Sequence, residues 1–282
     1  MPVTLIYRAP STGPICRFIA SQAPDPEDVL VVHERDAQSG GRRHISGGVV
    51  RWGSIWSGTA DVQINSATAI RLARDKSLSR QRLVGLCPDT WYLRRDVHVW
   101  PCVVRPRRHH AGSGFYVCDD SVALRRATTR CGKGYYVSPL VRRTHEYRIF
   151  VLQGRIVGVS ERFMRPATAP DPQRVAWNLH AGGGTRTVKR KQWPIRAALV
   201  AIQATERLGL DFGAVDVAVT EQGTVVVWEV NVSPGIKKRQ IASNLAQAFL
   251  WAELEGPAAP VAQGAKRWAD VIHPALRQEV GR

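Results

Sequence analysis

An alternating segment at residues 214–235, AVDVAVTEQGTVVVWEVNVSPG, constrains the fold of this chain more than any other feature. Side chains on a β-strand point alternately to opposite faces of a sheet, so the segment predicts a hairpin that turns at residues 222–223. One predicted face is polar and carries Asp216, Glu229 and Asn231. The other predicted face is apolar and is formed by Val215, Val217, Val219, Val226, Trp228 and Val230.

The register of this hairpin follows from keeping every apolar side chain on one face. That register pairs Val217 with Trp228 and places Asp216 directly across from Glu229. Two facing carboxylates repel each other unless a cation lies between them. Oxygen ligands that include two carboxylates suit Mg²⁺ bound together with substrate phosphates. The hairpin therefore predicts a magnesium site formed by Asp216, Glu229 and Asn231, and the alternative is a solvated face on which acids meet by chance.

Other short apolar runs, bounded by glycine, proline or aspartate, predict further strands. These runs lie at residues 3–7, 29–32, 48–52, 99–104, 115–118, 135–141, 147–152 and 155–161. Helices are predicted at residues 66–75, with Ser66 as the N-cap, from Pro194 onward, and at residues 239–254. In the helix after Pro194, the apolar face is predicted to contain Ile195, Leu199 and Ile202. The mixture predicts an α/β (α+β) fold.

Composition excludes several classes of protein. No apolar run is long enough to span a bilayer. The first ten residues resemble a strand and not a signal peptide, so a cytoplasmic location is expected. The cysteines lack a CxxC pair and the histidines lack ligand spacing, so neither a disulfide framework nor a transition-metal site is predicted. No Ser–His–Asp or Cys–His arrangement suggests a protein nucleophile.

The net charge is +17, carried by 33 Arg and 7 Lys. One interpretation is a bias toward arginine over the whole chain. The other is an acidic partner, which could be a nucleotide, a polycarboxylate or a nucleic acid. The sequence leaves both open.

The polar face of the hairpin carries a resemblance to a known family. Asp216, Glu229-Val230-Asn231 and Ser233-Pro234-Gly235 resemble the D…ExN.sPG signature of ATP-grasp enzymes. The resemblance covers residues 50–245 and is closest to the RimK-like glutamate ligases and related phage amide ligases. It implies the ATP-grasp fold, with ATP and two Mg²⁺ ions as cofactors. It also implies that Asp216, Glu229 and Asn231 hold the ions that bridge the ATP phosphates.

The same resemblance implies residues that contact the ATP phosphates. Lys76 matches a family lysine that opens the ATP-grasp region. Arg105 stands in Val-Val-Arg-Pro where the family usually has lysine, and this exchange is not conservative. The loop with Gly112, Ser113 and Gly114 follows, and glycines allow backbone N–H groups to approach phosphate oxygens.

Further positions are implied for adenine and the reacting group. Pro139 and Leu140, in YYVSPL, resemble the hinge that binds adenine through backbone groups. Glu146 and Arg148 resemble the D/E-x-R pattern that follows the hinge, with Glu146 at the nucleotide site and Arg148 facing the reacting phosphate.

Arg162 matches an arginine at the end of the next strand. Asn178, in Asn-Leu-His before the glycines at residues 182–184, matches a segment that frames the acyl site. The family implies catalytic roles for Arg148, Arg162 and Asn178.

The resemblance also implies four segments. An N-terminal α/β domain is expected at residues 1–72 and the N-terminal ATP-grasp subdomain at 73–140. The C-terminal subdomain, with the metal-binding hairpin, is expected at 141–256, followed by a tail at 257–282.

The reaction implied by the family forms an amide bond. A carboxylate attacks the γ-phosphate of ATP, and an amine then displaces phosphate from the acyl phosphate, so that ADP and phosphate are released. Two alternatives remain, a kinase-like phosphoryl transfer on the same fold and a basic nucleic-acid-binding module. The sequence names neither the carboxylate nor the amine, and both an acidic peptide and a nucleic-acid-linked acceptor fit the basic charge. No membrane partner is expected.

Overall fold

The computed structural model describes residues 2–40, 44–107, 114–132, 134–164 and 183–255. Within these residues the strands form three sheets, of four, three and five strands. No helix in the described ranges is both long and apolar enough to cross a membrane.

The N-terminal sheet is parallel and contains β1 (Val3–Tyr7), β2 (Val29–His33), β3 (His44–Trp52) and β4 (Thr59–Ile64). Its strand order is β2-β1-β3-β4, so the chain reverses direction across the sheet between β1 and β3. Strand β4 was not predicted. The helices that accompany these strands are α1 (Gly13–Ala20), α2 (Glu34–Ser39) and α3 (Ala67–Arg74).

Helix α3 begins as the sequence predicts. The Ser66 hydroxyl accepts a hydrogen bond from the Ala69 N–H at 3.0 Å, which satisfies one of the free N–H groups of the first turn. A second short helix, α4 (Lys76–Arg82), follows at once, and Asp75 caps it by accepting from the N–H groups of Ser77 and Leu78.

The small sheet is antiparallel, in the order β6-β5-β7. Its strands are β5 (Cys102–Pro106), β6 (Tyr116–Cys118) and β7 (Tyr135–Pro139). Helix α5 (Ser121–Cys131), which was not predicted, packs Leu124 and Ala127 into the core of this sheet.

The five-stranded sheet is antiparallel in the order β10-β9-β8-β11-β12 and carries the predicted hairpin at its edge. Its strands are β8 (Arg143–Leu152), β9 (Arg155–Met164), β10 (Gly183–Thr187), β11 (Phe212–Thr220) and β12 (Val225–Asn231). Strand β10 was not predicted, whereas the predicted turn between β8 and β9 is confirmed, with Gly154 at φ 71°.

Helix α6 (Ile195–Arg207) packs against the five-stranded sheet through a face different from the predicted one. Ile195 and Leu199 are 40% and 43% exposed, so their predicted burial is wrong. The buried face instead contains Ile202 and several alanines. Small side chains let a helix approach a sheet closely, and a pattern built on large apolar residues therefore missed the contact face. The alanines concerned are Ala197, Ala198, Ala201 and Ala204.

One core joins the N-terminal sheet to the five-stranded sheet. Trp52 stacks on Phe212 with ring centres 5.1 Å apart, and Phe249 of α7 (Arg239–Glu255) meets both rings edge-on. Asn65, at φ 67°, exchanges two hydrogen bonds of 2.9 Å with the backbone of Phe212. These contacts hold the carboxyl ends of β1 and β3 beside the hairpin. The segment boundaries expected at residues 72, 140 and 256 stay predictions.

Candidate active site

A cleft of about 1180 Å³, called the central cleft below, opens where the three sheets meet. Its walls include Gly53 from the N-terminal unit, Arg105 from β5, and Arg148, Asp216 and Glu229 from the five-stranded sheet. Cations outnumber acids in its lining. The cations are Arg8, Arg71, Arg74, Lys76, Arg80, Arg105, Arg107, Arg143, Arg148 and Arg162, and the acids are Asp75, Glu146, Asp216 and Glu229.

The hairpin of β11 and β12 brings its two acids together as the sequence predicts. Asp216 lies directly opposite Glu229. The next pair is Val217 with Val227, so the register shifts by one residue and Trp228 is the extra residue of a β-bulge. The predicted pairing of Val217 with Trp228 is therefore wrong. On the open side of β12, the Val227 N–H donates to the Leu86 carbonyl at 2.7 Å.

The bulge moves Trp228 to the functional face. Val227, and not Val226, joins Val215, Val217 and Val230 in the core. Trp228 lines the central cleft together with Glu229, which corrects its predicted place on the apolar face. Its Nε1 is buried and has no hydrogen-bond partner among the residues that the structure describes. Sequence alternation could not reveal this, because one inserted residue reverses the face of its neighbour.

Asp216 is the centre of a buried ion-pair network. Its Oδ1 accepts from Arg148 Nε at 2.7 Å, and its Oδ2 accepts from Arg148 Nη2 at 2.9 Å and Arg162 Nη2 at 2.8 Å. The Asn231 amide donates to the same Oδ2 at 3.3 Å. Burial alone would raise the pKa of Asp216, but the charges of Arg148 and Arg162 outweigh it and lower the pKa to about 2.

Glu146 extends this network away from Asp216. It is 4% exposed and accepts from Arg162 Nη1 at 2.7 Å, while Arg143 Nε lies 2.7 Å from its other oxygen. The strand registers explain the arrangement, because Glu146 pairs with Arg162 and Asp216 pairs with Arg148. Directly opposed residues lie on the same face of a sheet. The arginine at position 143 was not identified from the sequence.

Glu229 binds the predicted lysine. Lys76 Nζ lies 2.5 Å from Glu229 Oε1, although the two residues are far apart in the chain. Burial would raise the pKa of Glu229, but the charge of Lys76 prevails and lowers it. Asp75 positions this lysine by capping α4, and the guanidinium of Arg107 in turn holds Asp75, with Nε 3.1 Å from Oδ1.

Arg105 reaches the central cleft from the end of β5, as its predicted role requires. Its guanidinium carbon lies 5.7 Å from the ring centre of Phe115, and its buried Nε has no hydrogen-bond partner within the described part of the chain. Gly114 has φ 68°, and a Cβ there would lie 2.7 Å from Pro106 Cγ, so only glycine fits. The predicted loop residues Gly112 and Ser113 lie outside the described residues.

The predicted hinge residues Pro139 and Leu140 also line the central cleft. The Leu140 N–H donates to the Pro101 carbonyl at 2.9 Å, so this donor is already engaged. The predicted catalytic residue Asn178 lies outside the described residues. The structure therefore brings together every predicted site residue that it describes except Gly114, which lies just outside the cleft lining.

The donor set fits a magnesium ion. Asp216, Glu229 and Asn231 offer carboxylate and amide oxygens, the hard ligands that Mg²⁺ prefers. Both carboxylates have lowered pKa values and are ionised at neutral pH. Among the described residues no cluster of three or more His, Cys, Asp or Glu could hold a metal, so a site here depends on the amide or on further ligands from a substrate.

Comparisons with known proteins agree with this geometry. A family described as an ATP-grasp domain, the second family of its clade, matches residues 89–244, which is more than half of the chain. The chain is 29% identical over 199 residues to the probable alpha-L-glutamate ligase 2 of Hahella chejuensis, covering 64% of this chain and 62% of that protein. It is 29% identical over 198 residues to the probable alpha-L-glutamate ligase of Aeromonas salmonicida, covering 64% and 63%. The match thus spans less than two thirds of the length of these relatives.

Two solved structures share the fold. The D-alanine–D-alanine ligase from Bacillus anthracis has a TM-score of 0.62 at 13% identity, covering 91% of this chain and 97% of that chain. The ATP-grasp ligase PsnB complexed with minimal precursor has a TM-score of 0.63 at 12% identity, covering 89% and 99%. Likeness at such identity shows the fold alone, and it confirms the fold class expected from the sequence.

Proposed function

This chain belongs to the ATP-grasp domain family whose model it matches, and from that premise we propose that it is an ATP- and Mg²⁺-dependent carboxylate–amine ligase. The proposed reaction transfers the γ-phosphate of ATP to a carboxylate, and an amine then displaces phosphate to form an amide. The names of the glutamate ligases that the chain resembles support an amino acid or peptide as one substrate. A cytoplasmic location, where ATP is supplied, is part of the same proposal.

The observation that carries this proposal is the arrangement of charge around the hairpin. Two buried, ionised carboxylates face each other, and Arg148, Arg162 and Lys76 bind them in one cleft. A fold stabilised by burial alone would be at least as stable with apolar residues here, because buried ion pairs rarely contribute net stability. Clustered charges with perturbed pKa values are typical of functional sites.

The residues of the chain can each be given a task in this reaction. Lys76 and Arg105 would bind phosphate oxygens, Arg105 through donors that include the buried, unpartnered Nε. Arg148 and Arg162 would face the transferred phosphoryl group and stabilise the negative charge that develops there. Asp216 orients both guanidiniums, so the groups are held in place before the reactants arrive.

Asp216, Glu229 and Asn231 are the residues proposed to hold magnesium. When bound, the metal would neutralise phosphate charge and help to align the attacking carboxylate with the γ-phosphate. Arg148, Arg162 and Lys76 now occupy part of the coordination capacity of the two carboxylates. A carboxylate has about four lone-pair sites, so cations and metal can share the same oxygens.

Hydroxylamine trapping tests the proposed function. The protein would be incubated with ATP, Mg²⁺, hydroxylamine and a panel of amino acids and acidic peptides, and the products would be identified by mass. A hydroxamate that forms only with ATP and a carboxylate supports the ligase, because only a carboxyl phosphate reacts in this way. A phosphorylated product without hydroxamate would instead establish the kinase-like alternative.

A further inference from the structure

The N-terminal sheet forms a crevice of its own at one end of the central cleft. In open parallel sheets, ligands bind outside the carboxyl ends of the strands, at the point where the strand order reverses. Here that point lies between β1 and β3. Arg8 directly follows β1 and Gly53 directly follows β3, and both line the central cleft.

Three arginines converge at this crevice. Arg71 and Arg74 lie three residues apart on α3, which places them on the same side of the helix. Arg8 lies close enough to act on Arg74, because burial lowers the pKa of Arg74 and the charge of Arg8 lowers it further. All three are largely exposed and line the central cleft.

Little negative charge opposes these arginines. Within the described ranges none of the three forms an ion pair, whereas Arg107, Arg148 and Arg162 all do. The carboxylate that acts on Arg74 is Glu34, and it is buried and accepts from the Ile55 N–H at 3.0 Å. Like charges held together in this way favour an anionic ligand.

The crevice is directly connected to the carboxylate pair of the hairpin. Arg74 precedes Lys76 by two residues, a separation of at most about 7 Å between Cα atoms, and Lys76 binds Glu229. On the opposite wall, a Cβ on Gly53, which has φ 67°, would lie 2.9 Å from Ser233, which follows Asn231 in the hairpin segment. One small molecule or one peptide residue can therefore reach both places.

We propose that Arg8, Arg71 and Arg74 bind a second carboxylate of the substrate whose first carboxylate is activated at the hairpin. The inference rests on the proposed function and specifies its substrate as a molecule with at least two carboxylates, such as a dicarboxylic amino acid or an acidic peptide. Arginine suits this task because its planar fork binds a carboxylate through two parallel hydrogen bonds. The arginines select and position the substrate, and they take no part in phosphoryl transfer.

Calorimetric titration tests this without turnover. L-Glutamate and L-glutamine would be titrated into the full chain with Mg²⁺ and a nonhydrolysable ATP analogue. L-Glutamate should bind about tenfold or more tightly than L-glutamine, the gain from one charge-assisted pair. Arg8→Gln and Arg74→Gln should each weaken L-glutamate about tenfold without changing L-glutamine or the ATP analogue. Triglutamate and triglutamine provide the same comparison for a peptide substrate.

The matched control is Arg126→Gln, an exposed arginine on α5 that does not line the central cleft. It should bind L-glutamate as the unchanged protein does. Equal binding of the acids and their amides, or an equal loss in the control, would overturn the subsite. Tighter binding of O-phosphoserine than of any carboxylate probe would overturn its assignment to carboxylates.

The failure of the subsite and that of the proposed function are distinguishable. Selective binding of L-glutamate or triglutamate with no hydroxamate from either would retain the subsite and reject the ligase. Hydroxamate formation from monocarboxylates as readily as from dicarboxylates would retain the ligase and reject the subsite.

Discussion

Arg148 binds Asp216 through two parallel hydrogen bonds, from Nε to Oδ1 at 2.7 Å and from Nη2 to Oδ2 at 2.9 Å. The two residues lie directly opposite each other on β8 and β11, so the strand register itself sets the geometry of the pair. The same Asp216 also holds Arg162 and contacts Asn231. A single carboxylate thereby organises the groups proposed for phosphoryl transfer and for metal binding.

Asp216→Asn should therefore affect both stability and activity. The substitution leaves Arg148 and Arg162 with buried charge that nothing neutralises, and breaking a buried pair in this way costs about 3–5 kcal/mol. We expect a lower Tm with a cooperative transition retained, together with a fall in turnover of about 100-fold or more. Thermal unfolding and ADP release measure the two effects. A variant that keeps both its Tm and its turnover would contradict the central role of Asp216.

Glu229→Gln should abolish turnover with a smaller effect on stability. Glu229 is more exposed than Asp216 and its partner Lys76 can turn toward solvent, so the unpaired charge is less costly. The matched control is Glu221→Gln, an exposed glutamate in the turn of the same hairpin, which should behave like the unchanged protein. ADP formation by the Glu229→Gln protein at saturating Mg²⁺ and near the normal rate would rule out the proposed metal site.

Trp228→Val should raise the KM for ATP by about tenfold while leaving the fold intact. The bulge places this ring in the central cleft, where an aromatic face can contact a nucleotide base at a gain of about 1–3 kcal/mol. The comparison variant is Trp193→Phe, because Trp193 packs against the core outside the cleft. Titration of a fluorescent ATP analogue separates binding from turnover. Unchanged affinity in the Trp228→Val protein would assign the ring a purely structural role.

Stability should fall between pH 4 and pH 2 in a way that depends on Asp216. Its pKa is lowered from 3.8 to about 2, so the folded state releases this proton more readily than the unfolded chain. The resulting stabilisation is fully present above pH 4 and is lost as the pH falls toward 2. The shift corresponds to about 2 kcal/mol. Urea unfolding should show a shallower loss over this interval for Asp216→Asn, and parallel pH profiles for the two proteins would contradict the assignment.

The sequence by itself determined the features that depend on local periodicity. Alternation along a strand placed Asp216 and Glu229 on one face, because the period of two is a property of the backbone. Ser66 could likewise be identified as a cap, since its bond to Ala69 spans three residues. The resemblance to ATP-grasp enzymes added Lys76, Arg148 and Arg162, which the structure brings into the same cleft as the hairpin.

Only the tertiary structure decided the features that depend on contacts between distant segments. The bulge that turns Trp228 into the cleft arises in the pairing of β11 with β12 and accompanies a bond from Val227 to Leu86. The alanine face of α6 is set by how closely that helix approaches the sheet. The convergence of Arg8 with Arg74 depends on the order of parallel strands, which no local pattern encodes. Side-chain period is local, whereas register shifts, packing distance and strand order are settled only when separate segments meet.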